Sequence, residues 1–188
     1  MKNFLIFLFS IELAASAALA QAVPDTAKPS QAPDSATLQK AMPRVAVLDF
    51  VSLSPAPART AKLVAERVRF GIMNSKKLAV ADAGEIARAM AELGLGRPDS
   101  MGAEQIVTLG NRLGTQYLIV GFVTDYREGD IEFGKHRMEL LGKVFDCRTG
   151  ELMGMEMVKV KKKGEVREMA NAAADKLARK LMEIITTK

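Results

Sequence analysis

After residue 44 the apolar positions fall into runs typical of strands and stripes typical of helices. Residues 44–51 and 116–126 are nearly continuous apolar runs, as expected for central strands covered on both faces. Residues 78–81 predict a short strand. Residues 131–146 and 151–161 predict a hairpin, whose turn places Gly150 in a left-handed conformation.

Four stretches instead repeat their apolar residues three and four positions apart. They predict helices over residues 60–74, 82–93, 100–114 and 166–185. Thr60 and Asp82 are candidate N-caps, and Glu85 stands where it would complete a capping box. The predicted order is β-α-β-α-α-β-β-β-α. It implies an α/β (α+β) sandwich, with a mixed sheet of about five strands flanked by helices and the last three strands antiparallel.

The first residues have the pattern of a secretory signal peptide. Lys2 precedes an apolar run over residues 4–20 that ends in Ala18, Leu19 and Ala20. An uncleaved membrane anchor is the alternative, but the run is shorter than the roughly 20 residues that span a bilayer, and Glu12 interrupts it. We therefore expect a signal peptide over residues 1–20 and a periplasmic protein that does not span the membrane after cleavage.

Composition then divides the remaining chain into a tether and one domain. Residues 21–43 are rich in Ala, Pro, Ser and Asp and predict a flexible tether. Residues 44–188 have the length of a single domain, and the chain is 48% apolar, which suffices for one substantial core. The net charge of +5 favours anionic partners. Export makes nucleic acid an unexpected partner.

Four ordered stretches carry a resemblance to a known family. They are residues 45–50 (VAVLDF), 109–121 (LGNRLGTQYLIVG), 123–125 (VTD) and 143–151 (KVFDCRTGE). Together they resemble the CsgG-like superfamily, whose members include the curli secretion channel and LpoB-like lipoprotein activators of penicillin-binding proteins; the amino-terminal domain of TolB is similar in fold. The resemblance implies a non-catalytic periplasmic domain that assembles with itself or docks on other envelope proteins.

The sequence departs from the channel members in two respects. Gln21 follows the expected cleavage site, where a lipoprotein has cysteine. Residues 125–163 have room for one ordinary hairpin, and Lys135, Arg137, Glu139 and Lys143 fall on one of its faces, where a lipid-facing strand would be apolar. We therefore do not expect a pore.

Candidate catalytic and metal-binding residues are few. His136 is the only histidine and Cys147 the only cysteine; we expect a solvated histidine and a buried, inert thiol. Neither an enzyme nor a cofactor is predicted. Met153, Met155 and Met157 could bind Cu(I) through their thioethers if exposed. We favour the alternative, a core-facing stripe under the last helix with Glu156 on the opposite face.

The leading hypothesis is an envelope accessory or scaffold protein that binds a cell-wall synthase or a secretion component. The rivals are a peripheral or ring-forming homo-oligomeric subunit of an outer-membrane, curli-like secretion complex, and a periplasmic Cu(I)-binding module. Two segments, residues 49–59 and 159–163, are the candidate binding surfaces. The residues predicted to contact a protein partner are Asp49, Phe50, Arg59, Lys159, Lys161, Lys162 and Lys163.

Overall fold

The computed structural model describes residues 42–129 and 134–187. The predicted signal peptide and nearly all of the predicted tether lie outside these ranges. The strands are β1 (Arg44–Val47), β2 (Val51–Ser52), β3 (Ala79–Val80), β4 (Tyr117–Arg127), β5 (His136–Asp146) and β6 (Leu152–Lys162). The helices are α1 (Ala58–Asn74), α2 (Ala83–Glu92), α3 (Ala103–Leu113) and α4 (Val166–Thr186), with a short 3-10 turn at Pro98–Ser100.

The sheet is mixed, as the sequence predicted. Its order is β3-β1-β4-β5-β6, with β2 also paired to β4. Strand β1 runs parallel to β3 and β4, whereas β4, β5 and β6 are antiparallel neighbours. The predicted strand over residues 44–51 is divided into β1 and β2, which makes six strands instead of five. The predicted fold class and element order are otherwise confirmed.

Helices lie on both faces of the sheet and bury two clusters of apolar side chains. The larger cluster lies between α1, α4 and the strands, and includes Val68, Ile119, Leu140 and Leu177. The smaller one lies under α2 and α3, and includes Leu48, Ile106 and Leu118. None of the helices in the described ranges is long and apolar enough to cross a membrane.

The helix ends agree with the sequence in part. Asp82 caps α2, because its Oδ1 accepts from the amides of Gly84 and Glu85 at 2.8 and 3.1 Å. Glu85 does not complete a capping box; its carboxylate bonds to Arg44 at 2.5 Å. The expectation that Thr60 caps α1 is wrong, since the helix begins at Ala58 after Pro57 and Thr60 is buried in its first turn.

Phe50 is buried in the larger cluster, with only 5% of its surface exposed. Its ring lies against Gly121 of β4, where a Cβ atom would come within 2.1 Å of the ring carbons. Glycine at this position leaves room for the aromatic ring above the sheet. Phe50 therefore stabilises the core, and its ring is not available to a partner.

We predict that Gly121→Ala lowers the free energy of unfolding by about 1–3 kcal/mol, because the ring must move or the strand must shift. Gly96→Ala is the matched control, since nothing lies within 4 Å of the added Cβ there. Urea unfolding of the two variants measures the difference. Equal free energies of unfolding for the two variants would show that the packing of the Phe50 ring does not require glycine at position 121.

Candidate protein-binding surface

The predicted surface at residues 49–59 is divided between the interior and solvent. Asp49 is exposed and pairs with Arg69 at 2.7 Å. Phe50 belongs to the core, as described above. Arg59 is exposed near the start of α1. Of the three predicted contact residues in this segment, the structure therefore presents Asp49 and Arg59 at the surface.

Arg59 lines a groove of about 600 Å³ between the first turns of α1 and α4 and the end of β4. Leu63 and Val166 form part of its apolar lining, whereas Lys62 and Arg167 add positive charge. The sequence did not indicate this groove, because α1 ends at Asn74 and α4 begins only at Val166, far along the chain. The groove is a concave surface of mixed polarity next to the segment predicted to bind a partner.

Tyr126 closes one side of this groove and donates a hydrogen bond from its hydroxyl to Glu128. Burial raises the pKa of Tyr126 to about 12, and the bond to the Glu128 carboxylate acts in the same direction. The phenol is therefore held in its neutral form.

The basic segment at residues 159–163 ends β6, the outermost strand of the sheet. Lys159 pairs with Glu139 at 2.8 Å, and Lys162 pairs with Glu168 at 2.9 Å. Lys161 and Lys163 are exposed. The segment thus keeps its basic surface, although two of its four lysines are engaged in ion pairs at the surface.

One face of the β5–β6 hairpin lies against α4, and the opposite face is largely uncovered by the described helices. On the covered side Met138, Leu140 and Val144 are buried, and Gly142 lies directly under Leu181. Helices α2 and α3 pack over β1 and β4 on the other side. We call the remaining uncovered surface the open face; it comprises Arg137, Glu139, Leu141, Lys143 and Phe145 of β5 with Leu152, Met155, Met157, Lys159 and Lys161 of β6.

The half of the open face near the hairpin turn is mainly apolar, and its one charged residue is Lys143, in register with Val120 and Met155. In register across the strands, Leu118 is followed by Phe145 and Leu152, and Phe122 by Leu141 and Met157. Exposure increases along each row: the β4 members are buried, those of β5 are half-buried, and Leu152, Met155 and Met157 are 44%, 53% and 53% exposed. The smaller core therefore continues outward into an exposed apolar surface.

The other half of the open face is charged. One row across β4, β5 and β6 is Arg127, Arg137 and Lys161, and the next is Asp125, Glu139 and Lys159. Asp125 lies 2.8 Å from Arg137 and 3.5 Å from Arg127. The hydrogen bond from Lys159 lowers the pKa of Glu139, and Arg137 contributes in the same direction. These two rows contain four bases and two acids, and Lys143 adds a fifth base within the other half of the open face.

The expectation that all three methionines face the core is wrong for Met155 and Met157. The pairing of β5 with β6 shifts between Val144 and Phe145, so that Met153 is an extra residue in β6. Met153 packs against the larger cluster, whereas Met155 and Met157 lie on the open face. Glu156 points to α4 instead, where it binds Lys180 at 2.5 Å. The three thioethers therefore do not converge on one Cu(I) site, and Lys143 stands opposite Met155.

The two reactive side chains that the sequence singled out are both engaged in the fold. Cys147 is buried, as expected, and burial raises the pKa of its thiol to about 11. His136 was expected to be solvated, but both of its ring nitrogens contact the backbone. Nδ1 accepts from the Gly129 amide at 3.3 Å, and Nε2 lies 2.7 Å from the Gly164 carbonyl oxygen. Within the described ranges no three His, Cys, Asp or Glu side chains cluster as metal ligands would.

Comparison with known proteins identifies the fold through solved structures. No protein-family model matches the sequence, and no curated protein matches it either. The hypothetical protein CT253 from Chlamydia trachomatis is similar at 14% identity, over 79% of this chain and 100% of that chain, with a TM-score of 0.56. Lipoprotein GNA1162 from Neisseria meningitidis is similar at 13% identity, over 75% and 99%, with a TM-score of 0.54.

A third similar structure is the PelC dodecamer from Paraburkholderia phytofirmans. It is 11% identical over 71% of this chain and 84% of that chain, with a TM-score of 0.51. At these identities the likenesses show a shared fold. The chain thus has the fold of a group of structures that includes a lipoprotein and PelC, while the CsgG-like name rests on the sequence motifs and stays a prediction.

The environment of Tyr126 predicts an alkaline weakening of the fold. Because its pKa is raised to about 12 in the folded protein and is near 10 in an unfolded chain, the unfolded state releases the proton first. This contribution to stability is complete below about pH 10 and is lost as the pH rises toward 12. Urea unfolding measured across this range should show the loss, and Tyr126→Phe should remove it. If the Tyr126→Phe variant kept the same pH dependence, Tyr126 would not be the cause of the alkaline loss of stability.

Proposed function

We propose that this chain is an exported, non-catalytic accessory protein of the bacterial cell envelope that acts by binding another protein. The observation that carries the proposal is the open face. Strand β6 exposes Leu152, Met155 and Met157 on one face of the sheet. Contiguous exposed apolar surface is typical of interaction sites.

The envelope assignment is supported by two independent features. The first residues have the pattern of a signal peptide. Among structures of the same fold, GNA1162 is described as a lipoprotein. The resemblance to the CsgG-like superfamily extends the proposal to a partner class, namely a cell-wall synthase or a secretion component met in the periplasm, where the protein could associate peripherally with the outer membrane.

A binding role without catalysis is supported by the state of the two reactive side chains. The thiol of Cys147 is buried with its pKa raised, which disfavours the nucleophilic thiolate. Both ring nitrogens of His136 lie at backbone groups. A nucleophile needs a base within hydrogen-bond reach, and these two residues lie on different elements and have different partners.

The ring-forming alternative is favoured by a separate observation. PelC, which shares the fold, is described as a dodecamer. Strand β6 is the edge of the sheet over eleven residues, and such edges can pair with another chain. Light scattering of the purified mature protein separates the two functions: a discrete large oligomer supports the ring, and a monomer supports the accessory protein.

We predict that a tagged full-length chain, crosslinked in intact cells, recovers an envelope protein in defined stoichiometry. Replacing Lys161, Lys162 and Lys163 together by Glu should reduce the recovery about tenfold, since three ion pairs at the rim of an interface contribute about 0.5 kcal/mol each and about 1.4 kcal/mol corresponds to tenfold.

The matched control replaces Lys76, Lys77 and Lys176 by Glu. These residues are also exposed and the net charge changes equally, but they lie away from the end of β6. Equal losses in both variants would show a general charge effect. Recovery of the chain alone, as a ring, would support the secretion-complex alternative, and recovery of no specific protein would contradict the interaction hypothesis.

A further inference from the structure

We propose that the open face binds an acidic amphipathic helix of the partner protein, which completes the helical layer that α2 and α3 begin. The inference rests on the proposed function and specifies its binding surface and the chemistry of the partner. It follows from the dimensions of the surface, from the order of its apolar and charged rows, and from the charges on this chain's own helices.

The uncovered strip has the width of one helix. Helices α2 and α3 cover β1 and β4, which leaves β5 and β6 uncovered on that side. Two strands at a spacing of about 4.8 Å span about 10 Å, close to the diameter of a helix with its side chains. From Phe145 to Arg137 the strip is eight residue steps long, or about 27 Å, which a helix of about 18 residues covers.

The rows of the open face determine which side chains the helix must carry. Leu141, Phe145, Leu152, Met155 and Met157 require apolar residues at intervals of three and four over the first half of the helix. Adaptable thioethers suit such a contact, as in other Met-rich binding surfaces. This part of the interface would extend the smaller core, in which Leu141 and Phe145 already take part.

The charged rows require acidic residues over the second half. Arg127, Arg137 and Lys161 stand side by side in register, an arrangement in which like charges repel. Asp125 compensates for two of these cations only in part, at 2.8 and 3.5 Å. Carboxylates of a bound helix would complete the compensation while remaining at the rim of the interface.

Among the helices in residues 42–129 and 134–187 of a second copy, none is strongly acidic. The range Ala58–Asn74 of α1 has four bases and one acid, and α4 has four bases and three acids. Helix α3 has one of each. Only α2 has an acidic excess, of one charge, and its Glu85 and Glu92 are already paired with Arg44 and Arg112. Charge therefore favours another protein over self-association at this surface.

The test places a photo-crosslinking amino acid at Met157 of the full-length chain in cells that produce it. Met73, equally exposed on α1, and Lys62, in the groove, are the comparison positions. We expect a protein adduct at Met157 whose attached segment, located by mass spectrometry, has an amphipathic period of 3.6 and an excess of Asp and Glu. A synthetic peptide of that segment should become helical on binding the purified mature protein.

Two pairs of variants measure the contribution of each half of the surface. Met157→Glu and Lys161→Glu should each weaken binding of the peptide about tenfold or more, as loss of a central interface contact does. Met73→Glu and Lys176→Glu make the same chemical changes on α1 and α4 and should leave the affinity unchanged. Thermal unfolding of all four variants checks that the fold is retained.

Each other outcome overturns the inference. An adduct with a second copy, an attached segment that is neutral or basic, or binding that appears only with phosphatidylglycerol vesicles would contradict an acidic helix. Adducts at Lys62 with none at Met157 would leave the proposed function intact and remove this surface from it. The absence of protein adducts at all three positions would contradict the proposed function itself.

Discussion

The packing of α4 against one face of the β5–β6 hairpin holds the outer half of the sheet in place. Two glycines make the contact close: a Cβ at Gly142 would lie 2.9 Å from Leu181, and one at Gly154 would lie 3.2 Å from Ile184. Full burial of a leucine such as Leu177 or Leu181 contributes about 2–3 kcal/mol relative to exposure. Because α4 stabilises both strands from one side, the fold does not require apolar residues on the opposite side. That side can therefore carry charged residues.

The open face contains paired acids and an excess of bases. Glu139 is bonded by Lys159 and Thr124, and its pKa is lowered accordingly. Asp125 lies between Arg127 and Arg137. These two acids form ion pairs from β4 to β5 and from β5 to β6, and the bases around them outnumber them. The surface therefore keeps a basic excess that is complementary to an anionic partner.

The alternation along β5 allowed its two faces to be predicted from the sequence, and the structure agrees. Met138, Leu140 and Val144 are buried, while Arg137, Glu139 and Lys143 are partly exposed. The antiparallel order of β4, β5 and β6 was also predicted, because these strands follow one another along the chain with no helix between them. Gly150, with a φ of 74°, supplies the left-handed turn residue that was expected.

The face of the methionines could not be predicted, because a period of two does not say which side a helix covers. Met153 is also an extra residue in β6, so the alternation of faces along this strand is interrupted there. Gly154 was the usable signal, since a glycine inside an apolar strand often marks a close approach by another element. The groove at Arg59 depends on where two helices meet across the sheet, which no local pattern records. Phe50 was placed in the predicted strand over residues 44–51 and expected to contact a partner, but β1 ends at Val47 and the Phe50 ring covers Gly121.

A partner that covers the open face in the cell would protect the native methionines on that face from oxidation. Mild peroxide converts exposed methionine to its sulfoxide, so Met73, Met155 and Met157 should react in the purified protein while the buried Met138 and Met169 resist. In intact cells we expect Met155 and Met157 to be protected and Met73 still to react. Equal oxidation of all three in cells and in the purified protein would contradict this expectation.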